Sequence, residues 1–245
     1  MADVLAELGA AGVRVALVTG RAPRTALALS GLGGRTGLEQ LQVVGLYGLQ
    51  VLDVSTGTVS TTVDDATRRS VQAVREALPG VLQEALPAVL DGAAPGVHVE
   101  DKDIALVVHT RRAPDPDRAL ADLVPAVRAL AERHGLLFEP GRLAAEIRPA
   151  GADKGASLLR LVADAPPAAP IRAVLFAGDD SGDLPALRAV PGLRAHGVAA
   201  VGIAVAQPGT DPAVLDAADT EVDAPPGLLG LLRRLAGLLS PPSPG

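Results

Sequence analysis

Cysteine is absent from the 245 residues, which removes disulfides, thiolate metal sites and cysteine nucleophiles from consideration. Aromatic residues are almost absent as well: two Phe, one Tyr and no Trp. No series of rings is available to stack on bases. The formal net charge of −6 comes without a basic stripe, so nucleic acid is not an expected partner. No apolar run reaches the roughly 18 residues needed to span a bilayer, and Arg14 interrupts the richest early stretch. The opening Met1-Ala2-Asp3-Val4 puts no basic region ahead of an apolar one, unlike a secretory leader. These absences lead to the expectation of a soluble, cytoplasmic protein with no membrane partner, taken as a monomer.

Nearly half of the residues are apolar. With so few rings, the core has to be built from Leu, Val, Ala and Ile, which suits helices packed on a parallel sheet. The chain is long enough for one core with a smaller domain inserted.

Periodicity and turn residues divide the chain into three stretches. In the first, a helix over 3–12 ends at Gly12 and a buried strand follows over Val13 to Val18. A helix over Pro23 to Leu32, a strand over Leu41 to Leu46 and a hairpin-like strand over Val51 to Val54 complete it. The middle stretch reads differently. It has a helical run over Asp64 to Leu90 interrupted by Pro79 and Pro87, and strands over Gly96 to Glu100 and Ile104 to His109. A long helix over Pro116 to His134 and strand pieces around Leu137 and Ala145 follow. The α/β pattern then returns, with helices over Gly155 to Val162 and Leu184 to Ala189 and strands over Arg172 to Ala177 and Ala199 to Val205. The tail from Ser240 is expected to be disordered. The reading is a Rossmann-like α/β core, residues 1–62 and 146–245, carrying an α+β domain at 63–145.

Ligands of open α/β sheets bind beyond the carboxyl ends of the parallel strands. Three polar groups fall at such places: Thr19-Gly20-Arg21, Asp153-Lys154-Gly155 and Gly178-Asp179-Asp180-Ser181-Gly182-Asp183. A hydroxyl followed by a glycine amide can donate to phosphate oxygens. A lysine at a helix N-terminus adds charge where the helix dipole already favours an anion. Asp179 and Asp180, with Asp183 three residues on, supply hard oxygen ligands suited to Mg²⁺. Each group also has a plain reading, as a turn, a helix cap by Asp153 or a loop. Their order and matching positions favour phosphate chemistry.

That set resembles motifs two, three and four of the haloacid dehalogenase superfamily. The stretches VALVTGR, GLYGLQ, VHVEDKDIALVVHTRR, LAAEIRPAGADKG and FAGDDSGDLPAL together resemble the trehalose-6-phosphate phosphatases. The resemblance implies Thr19 and Lys154 as phosphate-binding catalytic residues, with Gly20 and Arg21 beside them. It implies Asp179 as the Mg²⁺ ligand, supported by Asp180 and Asp183. It also matches a Glu-x-Lys turn to Glu100 and Lys102, a His-x-Arg strand end to His109 and Arg111, and a Glu-x-Arg-Pro segment to Glu146, Arg148 and Pro149. Residues 63–145 would then be a mobile cap, with Glu100, Lys102 and Glu146 as candidates for the sugar hydroxyls. A solvated turn pair remains open for Glu100 and Lys102, as does a packed strand end for His109. The implied activity is Mg²⁺-dependent hydrolysis of trehalose 6-phosphate, and trehalose-phosphate synthase is a candidate partner. Alternatives are a related capped phosphatase for sucrose phosphate or mannosyl-3-phosphoglycerate, and a sugar-phosphate binder without turnover.

Three departures accompany the resemblance. Tyr47 stands where the family has His, and Gly182 where it has Thr. The family's first strand, ending in Asp-x-Asp-Gly-Thr with the nucleophile and the general acid/base, has no match. Asp3, Asp101-Lys102-Asp103 and Asp115-Pro116-Asp117 lie in the wrong contexts to replace it. The expectation is a core whose first strand is missing and little turnover without an upstream Asp-x-Asp segment.

Overall fold

The computed structural model describes residues 1–86 and 96–239. It divides into two compact units, Met1–Thr61 with Ala152–Gly245, and Thr62–Gly151. The expected Pro87 interruption and the tail from Ser240 lie outside the described residues.

In chain order the first unit begins with helix α1 (Ala2–Ala10), strand β1 (Ala16–Val18), helix α2 (Pro23–Ser30), and strands β2 (Gln42–Gly45), β3 (Gln50–Asp53) and β4 (Val59–Thr61). The second unit holds α3 (Asp65–Ala85), β5 (His98–Asp101), β6 (Leu106–His109), α4 (Pro116–Arg133), β7 (Leu137–Gly141) and β8 (Ala144–Arg148). The first unit resumes with α5 (Lys154–Ala163), β9 (Ala173–Gly178), α6 (Leu184–Ala195), β10 (Ala199–Ala206), α7 (Pro212–Ala217), β11 (Thr220–Asp223) and α8 (Ala224–Leu239). The last three, together with β4, have no counterpart in the sequence reading. The apolar residues of α8 are spread through Gly- and Pro-containing sequence, and β11 is short and largely exposed.

Two sequence expectations differ from the structure for local reasons. The first strand begins at Ala16 rather than Val13, because Val13 closes the end of α1 by donating its N–H to the Leu8 carbonyl at 3.0 Å. Helix α3 runs through Pro79, where an interruption was expected. Its buried stripe, Val71, Val74, Leu78 and Leu82, packs into the core on both sides of the proline. That burial outweighs one missing backbone donor.

The first unit is α/β, and its strands form two sheets, ordered β1-β2-β3-β4 and β11-β10-β9. β1 pairs parallel with β2, and β9 and β11 pair parallel with β10. Thr19 N–H donates to Val44 and Gln42 N–H to Val15. Residues 15, 17 and 19 therefore face β2, and Ala16 and Val18 turn their backbone groups the other way. By the same alternation, Ala199 N–H on the Arg172 carbonyl leaves the backbone of Ala173, Leu175 and Ala177 turned away from β10. Among the described residues no strand pairs with either edge. Leu17, Val18, Val174 and Leu175 are only half-buried, where strands interior to such a layer are normally covered.

The same helices hold both sheets. On α5, Leu158 packs with Phe176 of β9, while Ser157 and Arg160 bond the backbone just after β2. Helices α1 and α8 share an apolar cluster of Val4, Leu8, Leu232 and Ala236. The loops that follow β2 and β9 both meet the first turn of α5, through Ser157 on the Tyr47 carbonyl and Lys154 on Asp183.

The second unit is an antiparallel sheet, β5-β6-β8-β7, with α3 and α4 covering one face through Leu106, Val108, Ala145 and Ile147. It runs past residue 145 to Gly151, because β8 is an interior strand continuing to Arg148. No helix among the described residues is long and apolar enough to cross a membrane.

Candidate active site

At the end of β1, Thr19 is tied in place by its backbone. Its N–H donates to Val44 at 2.9 Å, and its carbonyl accepts from Tyr47 N–H at 3.2 Å. Its hydroxyl oxygen accepts from Arg21 N–H at 3.2 Å, the signature of a tight hydroxyl turn. Gly20 leaves room for the Tyr47 ring: a Cβ there would lie 2.7 Å from it and push the ring tip aside. Arg21 is exposed, and its carbonyl accepts from Leu46 N–H.

Leu46, Tyr47 and Gly48 follow β2 with φ of 50°, 57° and 99°. Gly48 takes its φ freely, but Leu46 and Tyr47 in the left-handed region store strain unless they are held. They are held from α5. Ser157 Oγ shares its one proton between the Asp153 carbonyl at 2.8 Å and the Tyr47 carbonyl at 3.1 Å, and Arg160 donates to the Gly48 carbonyl at 3.1 Å. A Cβ on Gly48 would run into Ser157. The chain from Thr19 through Tyr47 to Ser157 thus links the Thr19-Gly20-Arg21 turn to the helix whose first residue is Lys154.

Asp153 caps that helix, accepting from Ala156 N–H at 2.7 Å. Lys154 is buried, and its Nζ donates to Asp183 Oδ1 at 2.7 Å and stands 3.8 Å from Asp180 Oδ1. Asp183 is buried too, and its Oδ2 accepts from Asp179 and Asp180 N–H at 3.1 and 3.3 Å. Asp183 therefore has both oxygens in use, holding the lysine on one side and the loop after β9 on the other.

Asp179, Asp180 and Asp183 can bring carboxylate oxygens within 4.8 Å of one another. The Asp180 carboxyl is pushed above its ordinary value by loss of hydration in the loop; Lys154 opposes this, and the adjacent Asp183 and Asp179 carboxylates add to it. Crowded carboxylates of this kind fit a hard divalent cation, whose charge relieves their repulsion. The exposed Asp179 and Asp180 have oxygens to offer. Gln207, just after β10, steadies the first by donating Nε2 to Asp179 Oδ2 at 3.2 Å. A side chain at 182 would start 3.0 Å from Asp180 Oδ1, so Gly182 leaves that carboxylate open.

In the second unit, cross-strand register puts Glu100, Val107, Glu146 and Glu139 in one row. Residues opposite one another share a face, and this row lies on the face away from α3 and α4. Lys102 Nζ donates to Glu146 at 3.1 Å, both side chains only 15% exposed. Glu100 meets His109 at 3.0 Å, and the His98 and His109 rings stack with centroids 6.3 Å apart. Arg148 is buried and paired with Glu139 at 2.6 Å. Arg111 is exposed on the turn after β6.

Within the first unit the structure gathers Lys154 with all three expected acids and ties Thr19 and Gly20 to the same helix. Within the second it pairs Lys102 with Glu146 and sets Glu100 against His109. Sequence reasoning missed Ser157, Arg160, Gln207 and the Arg75 side chain on α3. A serine and an arginine on an amphipathic helix carry no mark of their targets. The Gly-Leu-Tyr-Gly turn was the available signal, since its geometry demands outside support.

A family model described as trehalose-phosphatase matches residues 1–209. Solved structures share the fold. One is a trehalose-6-phosphate phosphatase from Aspergillus fumigatus, 21% identical, covering 96% of this chain and 83% of that one, TM-score 0.59. Another is the C-terminal domain of a trehalose-6-phosphate phosphatase from C. albicans, 17% identical, covering 96% and 82%, TM-score 0.66. A third is a haloacid dehalogenase-like hydrolase from Bacteroides thetaiotaomicron, 14% identical, covering 96% and 91%, TM-score 0.64.

Proposed function

We propose that this chain, which belongs to the trehalose-phosphatase family of phosphoric monoester hydrolases, cleaves trehalose 6-phosphate to trehalose and inorganic phosphate using a carboxylate supplied from upstream of residue 1. The observation that carries this reading is Lys154, a buried cation at a helix N-terminus, joined to the acid loop after β9. That arrangement suits a phosphoryl group whose charge grows in the transition state.

In this reading Lys154 takes one phosphoryl oxygen, and the Thr19 hydroxyl with the Gly20 and Arg21 amides takes others. Asp179 and Asp180 hold Mg²⁺, and Asp183 keeps Lys154 and the loop in register. The metal, when bound, offsets phosphoryl charge. A carboxylate oxygen attacks phosphorus in line, the bond from phosphorus to the sugar oxygen breaks, and the leaving oxygen takes a proton. Water then hydrolyses the aspartyl-phosphate, returning the carboxylate and releasing phosphate. Among the described residues no strand pairs with the outer edges of β1 and β9, which supports a further strand as the source of that carboxylate.

Residues 1–62 and 146–245 act as the phosphate-binding core, and 63–145 as a cap whose Glu100, Lys102 and Glu146 select the disaccharide. The protein works as a cytoplasmic monomer, with trehalose-phosphate synthase as its candidate partner. Calorimetric titration with Mg²⁺ present tests the assignments. Lys154→Ala should weaken both trehalose 6-phosphate and inorganic phosphate, and Glu146→Ala the sugar phosphate alone. Tighter binding of sucrose phosphate or mannosyl-3-phosphoglycerate would overturn the choice of substrate.

A further inference from the structure

The Lys102–Glu146 pair lies on one face of the second unit's sheet, yet the turn that carries Lys102 is gripped from the other face. Asp101, the last residue of β5, points opposite to Glu100 and meets Arg75 of α3. Arg75 Nε donates to Asp101 Oδ2 at 2.6 Å and Nη2 to Asp101 Oδ1 at 3.0 Å, the two-pronged geometry that fixes both groups in a plane. The same Nη2 donates to the Asp103 carbonyl. Gln72, one turn earlier, accepts from Arg75 Nη1 at 2.6 Å and so orients the guanidinium.

The turn itself needs holding. Asp103 has φ of 70°, in the left-handed region that disfavours a side chain. Asp101 Oδ1 accepts from Asp103 N–H at 2.8 Å, and Lys102 N–H closes the loop on the Ala105 carbonyl at 2.9 Å. Ile104, next in the chain, is buried. Arg75 thus binds the residues on either side of Lys102 while leaving Lys102 itself to the opposite face.

We propose that Arg75 is a positioning residue for sugar recognition: by clamping Asp101 and Asp103 it sets the Lys102 ammonium against Glu146 before ligand arrives. This rests on the reading of Lys102 and Glu146 as disaccharide contacts. A surface ion pair adds little to stability, so the clamp acts chiefly on the geometry of Lys102, and pre-ordering a polar contact strengthens binding.

The experiment is calorimetric titration of the full chain with trehalose 6-phosphate and, separately, inorganic phosphate, in the parent, Arg75→Ala, Arg75→Lys and Asp101→Ala proteins. Arg75→Ala should lose roughly tenfold in affinity for the sugar phosphate, the scale of one charged hydrogen bond, with phosphate affinity unchanged. Arg75→Lys should fall between, since a lysine cannot hold both Asp101 oxygens and the Asp103 carbonyl. Combining Arg75→Ala with Asp101→Ala should cost no more than the worse single change. Faster exchange of the Asp103 and Ile104 amides in Arg75→Ala would report the freed turn. Sugar-phosphate affinity unchanged in Arg75→Ala, or lost in equal measure with phosphate affinity, overturns the proposal. If the parent protein does not prefer trehalose 6-phosphate to phosphate, the disaccharide reading itself fails and takes the proposal with it, an outcome visible before any variant is made.

Discussion

Replacing Lys154 with methionine tests whether the pair at the start of α5 organises the acid loop. Lys154 and Asp183 are 8% and 5% exposed and 2.7 Å apart. Removing one member of a buried pair costs about 3–5 kcal/mol, because the other is left charged and dry. Asp183 keeps two amide donors on its second oxygen, which places the loss for Lys154→Met near the lower end, about 3 kcal/mol. For a chain of this length each kcal/mol moves the melting point by about 2–4 °C, so a drop of roughly 6–12 °C is expected by circular dichroism. Asp183→Asn should also destabilise, by leaving the buried lysine with only the more distant Asp180 carboxylate at 3.8 Å. The double variant Lys154→Met with Asp183→Asn should recover at least about 1 kcal/mol relative to the sum of the singles, since neither charge is then stranded. A single-variant loss below about 0.5 kcal/mol, the scale of a neutral surface change, would show that the pair does not organise the loop. So would simple additivity.

Three further outcomes follow from the same geometry. Gly48→Ala should cost about 2 kcal/mol or more in urea unfolding, because φ of 99° strains any side chain and its Cβ meets Ser157; adding Ser157→Ala should return only the part due to the clash. The hydrogen bonds from Arg75 hold the Asp101 carboxyl below its ordinary value of 3.8. The folded chain then binds fewer protons there than the unfolded one, so this contribution is complete above about pH 4 and is lost as pH falls through the lowered value. Urea midpoints between about pH 5 and pH 3 should therefore fall less steeply in Arg75→Ala than in the parent. Finally, Mg²⁺ at about a hundred times its dissociation constant should stabilise the chain by about 2.7 kcal/mol. Asp179→Asn should abolish that rise in melting point, and Gln207→Ala should raise the Mg²⁺ concentration needed about tenfold; an undiminished shift in Asp179→Asn would remove that residue from the metal site.

Much of this arrangement was legible in the sequence because its chemistry is local. Thr19-Gly20-Arg21 and Gly178-Asp179-Asp180 stand at strand ends recognisable from apolar runs, and Asp153-Lys154-Gly155 opens an amphipathic helix. Glu100 and Glu146 could be read from the resemblance, and the register that aligns them follows from short antiparallel strands. What was not legible depends on partners far apart in the chain. Ser157 reaches Tyr47 across 110 positions, and no spacing rule connects them. Arg75 looks like any exposed arginine on a helix until β5 is laid against α3. Helix α8 was missed because Pro225, Pro226, Gly227, Gly230 and Gly237 weaken a helical reading, whereas its packing on α1 through Leu232 and Ala236 supplies what propensity lacks. The division into two sheets follows from pairing, which a single sequence does not display.

The central claim is that this chain supplies the phosphate-binding and sugar-selecting parts of a trehalose-6-phosphate phosphatase, and its most direct test is phosphate release from trehalose 6-phosphate in Mg²⁺. The assay compares residues 1–245 with a chain extended upstream to include an Asp-x-Asp strand. Little release is expected from the first and sustained turnover from the second, lost again when Lys154 is replaced. Equal turnover by both chains would contradict the upstream carboxylate, and a folded extended chain with no turnover would contradict the assigned reaction.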